Sequence, residues 1–198
     1  MNARYHHGDL RRAVLEQAAE VIGRDGIASL SLRSIADDLG VSHTAPMHHF
    51  GSREGVLNAL AVEGFELLQQ SLETAAPLGF LEVGVAYVEF AVGHPGHFAV
   101  MYAPDVLDLE QPALAEARTR TFTALLSGAS GRSADDAVNA DNAAAAATAA
   151  WSLVHGLAIL ILSGSLDASG LRAAVGDGDV GAVARRAAAF LFVPESSA

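Results

Sequence analysis

The chain contains no cysteine and no lysine. Without cysteine there is no disulfide framework, no thiolate metal site and no thiol nucleophile. Without lysine, all twelve basic residues are arginine; they face 23 carboxylates, for a formal net charge of −11. That total argues against a uniformly basic nucleic-acid binder. Also missing are a G-x-S-x-G elbow, a phosphate-cradling glycine loop and a paired-carboxylate motif, so no enzyme and no cofactor are expected. The glycines at 164, 170, 176, 178 and 181 follow no strand pattern and lack a dinucleotide fingerprint. Residues 1–9 are polar with no apolar stretch behind them, so a signal peptide is not expected and a reducing cytoplasm is the expected location.

No segment alternates with the period of a strand, and an all-α fold is expected. Leu10, Val14, Leu15, Ala18, Val21 and Ile22 recur at three and four residues, with Arg11, Arg12, Glu16 and Glu20 between them. They predict a helix opened by Asp9 and closed by Asp25-Gly26. Ser31 can cap a second helix holding Ile35, Ala36 and Leu39; Gly40 supplies the turn; Ser42 can cap a third. Pro46 falls in that third helix's first turn. Ser52 opens a longer helix to about Ala75, and further helices are expected over 80–92, 97–102, 112–126, 135–163 and 179–193, with 104–111 irregular, 128–133 a loop and 164–178 a flexible connector.

Charge is unevenly spread. Residues 1–54 hold six arginines against seven carboxylates and five of the eight histidines, whereas the remainder holds six arginines against sixteen carboxylates. The N-terminal quarter is therefore the segment that tolerates a polyanion. It also carries two short helices joined at Gly40, which is the pattern of a helix-turn-helix whose second helix lies in the DNA major groove. The expected reading helix is 43–49. Ser42 stands at its start, and His43, Thr44 and His48 point outward, able to meet base edges or phosphate. Arg33 and Arg53, at the starts of adjacent helices, are placed for phosphates, which backbone N–H groups there also favour.

The order YHHGDLRRAVLEQAA followed by GIASLSLRSIADDLGVSHTAPMHHFGSREGVLNAL closely resembles the TetR/AcrR family of bacterial transcriptional regulators. In the second half, HPGHFAVMYAPD, PALAEAR and WSLVHGLAIL resemble the branch with a Trp-His-Gly signature, here Trp151, His155 and Gly156. The resemblance implies an N-terminal three-helix DNA-binding headpiece, residues 1–52, and a helical effector-binding and dimerisation domain, residues 53–198. It implies a homodimer through the last two helices, a palindromic operator in double-stranded DNA and a repressor released by a small-molecule effector. Two positions depart from the family pattern. Met47 stands where a tyrosine that meets phosphate is common, so that role is not carried over; Arg53 stands for a common lysine and keeps the charge.

Several residues carry more than one reading. Tyr87, Phe90, His97, Phe98, Met101, Tyr102, Phe122, Trp151 and His155 could line a pocket for an apolar or amphipathic effector, and ordinary core packing accounts for any one of them as well. The adjacent pairs His6-His7 and His48-His49 do not share a helix face, so no metal is expected. Residues 142–166 are uncharged and long enough to span a bilayer. Their alanine content and the absence of a flanking arginine favour burial against a second subunit over a membrane. A headpiece-bearing dimer that controls a partner protein, with no small ligand, is the remaining alternative.

Overall fold

The computed structural model describes residues 7–130, 140–175 and 178–192, and among these there is no strand. The helices are α1 (His7–Asp25), α2 (Leu32–Asp38), α3 (Ala45–Phe50), α4 (Arg53–Ala75), α5 (Phe80–Gly93), α6 (Pro95–Met101), α7 (Pro112–Ser130), α8 (Ala140–Leu162), α9 (Ser165–Ala168), α10 (Leu171–Val175) and α11 (Val180–Phe192). Single 3-10 turns lie at Ile27–Ser29, Ala76–Leu78 and Pro104–Val106. The sequence expectation holds for most elements. It differs at Asp9, which lies inside α1, at 128–130, where α7 continues into the expected loop, and in the 164–178 connector, which contains α9 and α10. The expected helix start at 135 and helix end at 193 lie outside the described residues.

The described residues fall into two compact units. One takes in residues through 66 with 94–118; the other takes in 67–93 and those from 119 on, so the boundary passes through α4 and α7.

In the first unit, α1 buries Leu10, Val14, Leu15, Ala18 and Ile22, the stripe read from the sequence. Helix α2 is capped by Ser31, whose hydroxyl accepts from the Ser34 N–H at 3.3 Å. Its far end closes by a Schellman arrangement: Gly40 N–H donates to Asp37 O (3.1 Å) and Val41 N–H to Ala36 O (3.0 Å), with Gly40 at φ 65°. Helix α6 runs against α1 at unusually short range. A Cβ added to Gly96 would lie 2.0 Å from the Ala19 carbonyl oxygen.

In the second unit, α5 is the central element, packed on α8 and α11. Val83, Val85, Tyr87, Val88, Phe90 and Ala91 of α5 are buried. Asp179 caps α11, accepting from the Ala182 N–H at 2.8 Å. Arg185 of α11 grips Glu82 of α5 through two bonds, Nε at 3.0 Å and Nη2 at 2.6 Å, a bidentate geometry.

Gly96→Ala is expected to lose about 2 kcal/mol, the cost of overpacking less what alanine gains in helix propensity. Gly93→Ala, which meets nothing within 4 Å, is expected to lose nothing. Denaturant melts of both variants check the pair.

Candidate nucleic-acid interface and ligand cavity

The third helix begins at Ala45, two residues later than the sequence reading placed it. Hydrogen-bond bookkeeping explains the difference. With Ser42 as cap, the first intrahelical bond would need an N–H from residue 46, and proline has none. The helix instead starts where Thr44 is the cap residue, and its first bond runs from His48 N–H to Thr44 O at 3.0 Å. Ser42 is therefore not the cap; its hydroxyl lies 3.2 Å from that of Thr44. Ser42 and His43 belong to the turn, together with Thr44.

All the same, Ser42, His43, Thr44, Met47 and His48 form one exposed edge, while Pro46 is buried beneath them and His49 and Phe50 are half-buried. Arg11 of α1 lies over the Phe50 ring, 5.5 Å from its centroid, a cation–π contact that ties α1 to α3. His43 is engaged in a way the sequence did not signal: its Nε2 is 2.6 Å from Asp37 Oδ1, across the turn rather than along a helix face.

Arg33 is exposed on α2. Arg53 is half-buried and committed to the backbone, with Nε donating to Leu30 O at 3.1 Å and Nη2 to Ile27 O at 2.5 Å. The Ile27 carbonyl also closes the 3-10 turn between α1 and α2, accepting from the Leu30 N–H at 3.2 Å. Ser52 caps α4, accepting from the Gly55 N–H at 3.0 Å.

The nine pocket candidates do not form one group. His97, Phe98, Met101 and Tyr102 belong to the first unit. There His97 Nε2 stands 3.8 Å from Glu63 Oε2, both atoms buried and without a hydrogen-bond partner. The His97 imidazole holds the Glu63 carboxyl below its usual range, against the upward push of its own burial. Phe98 and Tyr102 meet edge-on, ring centroids 5.1 Å apart.

Phe90 and the remaining four belong to the second unit. Trp151 Nε1 donates to the Tyr87 hydroxyl at 3.1 Å, and that hydroxyl lies 2.9 Å from His155 Nδ1. An indole N–H only donates, so the Tyr87 oxygen accepts there. With His155 neutral and its hydrogen on Nε2, the same hydroxyl can donate to Nδ1. Burial lowers the His155 pKa from the usual 6.5, in keeping with a neutral ring. Phe122 stands edge-on to Trp151 at 5.2 Å.

Beside this cluster is an apolar cleft of about 290 Å³, part of it open to solvent. It is lined by Phe80, Val83 and Gly84 of α5, Leu125 of α7, and Ala147, Ala150, Trp151 and Val154 of α8. Of the nine candidates only Trp151 reaches it. The sequence reading weighted large aromatics and missed the small residues 84, 147 and 150, whose lack of atoms makes the space. Among the described residues no group of three or more histidine or acidic side chains could hold a metal ion.

Comparison with known proteins agrees over both halves. The family model for bacterial regulatory proteins of the tetR family matches residues 14–60, and that for the tetracyclin repressor-like C-terminal domain matches residues 80–189. A solved structure of a protein of unknown function from Rhodococcus sp. RHA1 is 31% identical, covers 96% of each chain and superposes with a TM-score of 0.73. The TetR family transcriptional regulator PfmR from Thermus thermophilus is 20% identical, covers 92% of this chain and 98% of its own, and has a TM-score of 0.65, a likeness of fold. The uncharacterized HTH-type transcriptional regulator YobS of Bacillus subtilis (strain 168) is 25% identical over 96 residues, 46% of this chain. That match spans half the length of YobS.

The lowered pKa values of His155 and His94, the latter set by burial and then by His97 against Glu63, have a consequence for stability. Both rings bind protons less readily folded than unfolded. Stability is thus full above the usual imidazole range and falls as pH drops below about 6.5. The melting temperature is expected to fall between pH 7.5 and pH 5.5, and His155→Gln to reduce that fall. An equal fall in the variant would remove His155 from the account.

Proposed function

Because the chain belongs to the tetR family of bacterial regulatory proteins, we propose that it is a DNA-binding transcriptional regulator, a cytoplasmic homodimeric repressor released from a palindromic operator by a small ligand. The observation that carries the DNA side is the exposed edge of the turn and α3 held over buried Pro46. In this reading residues 1–52 are the headpiece and residues 53–198 the body. Thr44 and His48 enter the major groove and meet base edges, with Ser42 and His43 at its lip. Arg33 meets a phosphate directly. Arg53 fixes the approach of α2, and the N–H groups left over from its two carbonyl bonds face the phosphate backbone. Met47, 46% exposed on the same edge, offers an apolar contact where a tyrosine would offer a hydroxyl.

The dimer reading rests on α8. Residues 145–162 have a mean hydropathy of 1.8, enough by length and composition to cross a membrane, yet only 22% of the stretch is buried. Ile159 and Leu160 are 46% and 45% exposed. A second copy pairing through α8 and α11 would cover them and would place two headpieces on two half-sites, about one helical turn apart. Ligand release then requires only that the DNA-free conformation bind the ligand more tightly than the DNA-bound one. The second-unit cleft, with Trp151 in its wall and Tyr87, His155 and Phe122 around the indole, supports that ligand best, because an apolar opening lies there.

The test is selection of duplexes from a random library followed by salt titration of the best sequence. Arg33→Ala should weaken binding to all duplexes and flatten the log–log salt slope by about 0.9 per lost contact, about two per dimer. Thr44→Ala should change the preferred sequence instead. Arg53→Ala should do what Arg33→Ala does and also lower the melting temperature. Parent-like binding by both the Arg33 and Thr44 variants would mean that α3 is not the reading element.

A further inference from the structure

The cleft between α5, α7 and α8 combines two features that the DNA-binding reading leaves unused. Every side chain lining it is apolar, and none offers a free charge or a free hydrogen bond: the one polar atom among them, Trp151 Nε1, is spent on Tyr87. The enclosed part is also no larger than about one water molecule. An organic ligand enters only if a wall moves. Among the lining side chains Trp151 is the largest, is only partly buried, and is the one held by a side-chain hydrogen bond. The acceptor, Tyr87, is fully buried on α5, and its hydroxyl lies 2.9 Å from Nδ1 of His155, one turn beyond Trp151 on α8.

We propose that this cleft is a latched site for an uncharged, apolar ring or short chain, with the Trp151 indole as its door and the Tyr87–His155 pair as the latch. The proposal rests on the reading that the body takes up a small ligand, and it narrows that ligand. A charged group would be desolvated here with nothing to pair it. Swinging the indole gives up the Trp151–Tyr87 bond, so part of the ligand's binding energy is spent opening the door, and affinity is set in part by a residue outside the cleft wall. Tyr87 and His155 are thus positioning residues.

The test follows emission from Trp151, the single tryptophan of the chain, while the full chain is titrated with toluene, benzylammonium or benzoate, three probes of similar size. Toluene is expected to bind and the two ions not to bind at tenfold higher concentration. Tyr87→Phe removes the acceptor and is expected to bind toluene about fivefold more tightly, the worth of one ordinary hydrogen bond. His155→Gln, which keeps an acceptor for the phenol, should stay within about twofold of the parent. Val154→Phe fills the cleft and should abolish binding. Melting temperatures are taken for every variant; if Tyr87→Phe does not fold, His155→Leu should shift affinity in the same direction. Toluene binding that is equal or weaker in the unlatched variant, survival of binding in Val154→Phe, binding of the ions as well as toluene, or no toluene binding at all would each overturn the proposal. Operator binding is measured separately without probe. Retained operator binding with no toluene binding removes the latched cleft alone; toluene binding with no operator selected removes the regulator reading and leaves the cleft.

Discussion

Ala19 and Gly96 bring the backbones of α1 and α6 closer than any side chain would allow, and the order of the first unit follows from that contact. Helix α1 is the element on which α2, α3 and α6 all pack. Its Arg11 reaches the Phe50 ring on α3, and its end is fastened by the 3-10 turn whose carbonyls Arg53 holds. The exposed edge from Ser42 to His48 is thereby positioned from three sides, by packing on α1, by the Schellman turn at Gly40 and by the cap of α4. An arginine that the sequence marks as a DNA contact is also a fastener of the scaffold that would present such contacts.

What the sequence made legible was mostly local. Ser31 and Ser52 cap the helices they were expected to open, and Asp179 caps α11, because a hydroxyl or carboxylate just ahead of an apolar-periodic run has an orphan N–H within reach. Gly40 turns the chain because a positive φ costs glycine little. Ser42 failed as a cap for an equally local reason, the missing N–H of Pro46, which an accounting of donors predicts. The rest was not local. The His43–Asp37 contact spans six residues across a turn; the two bonds of Arg53 reach back more than twenty residues. A cleft made by Gly84, Ala147 and Ala150 is a deficit of volume, and no residue type announces it.

The charge distribution shows the same division. Arginines of the first 54 residues do different kinds of work: Arg11 stacks on an aromatic ring, Arg53 binds carbonyls, and Arg33 stands exposed. In the second unit Arg185 is matched to Glu82, which fastens α11 to α5 where Gly181 admits the Glu89 carboxylate at close range. Guanidinium geometry suits each of these uses, planar over a ring and forked toward oxygen. A chain without lysine has put these cations to directional purposes, and its acidic excess lies outside the quarter proposed to meet DNA.

Helix α3 is six residues long, and proline occupies its second position. So short a segment does not hold a helix by itself in water. Its shape is lent by the neighbours that bury Pro46 and flank Phe50. The exposed edge is consequently not a portable module. A peptide cut from residues 41–51 would lose it, and moving the segment into another scaffold would carry over letters without their conformation. Its vocabulary can be rewritten only in place, one exposed side chain at a time.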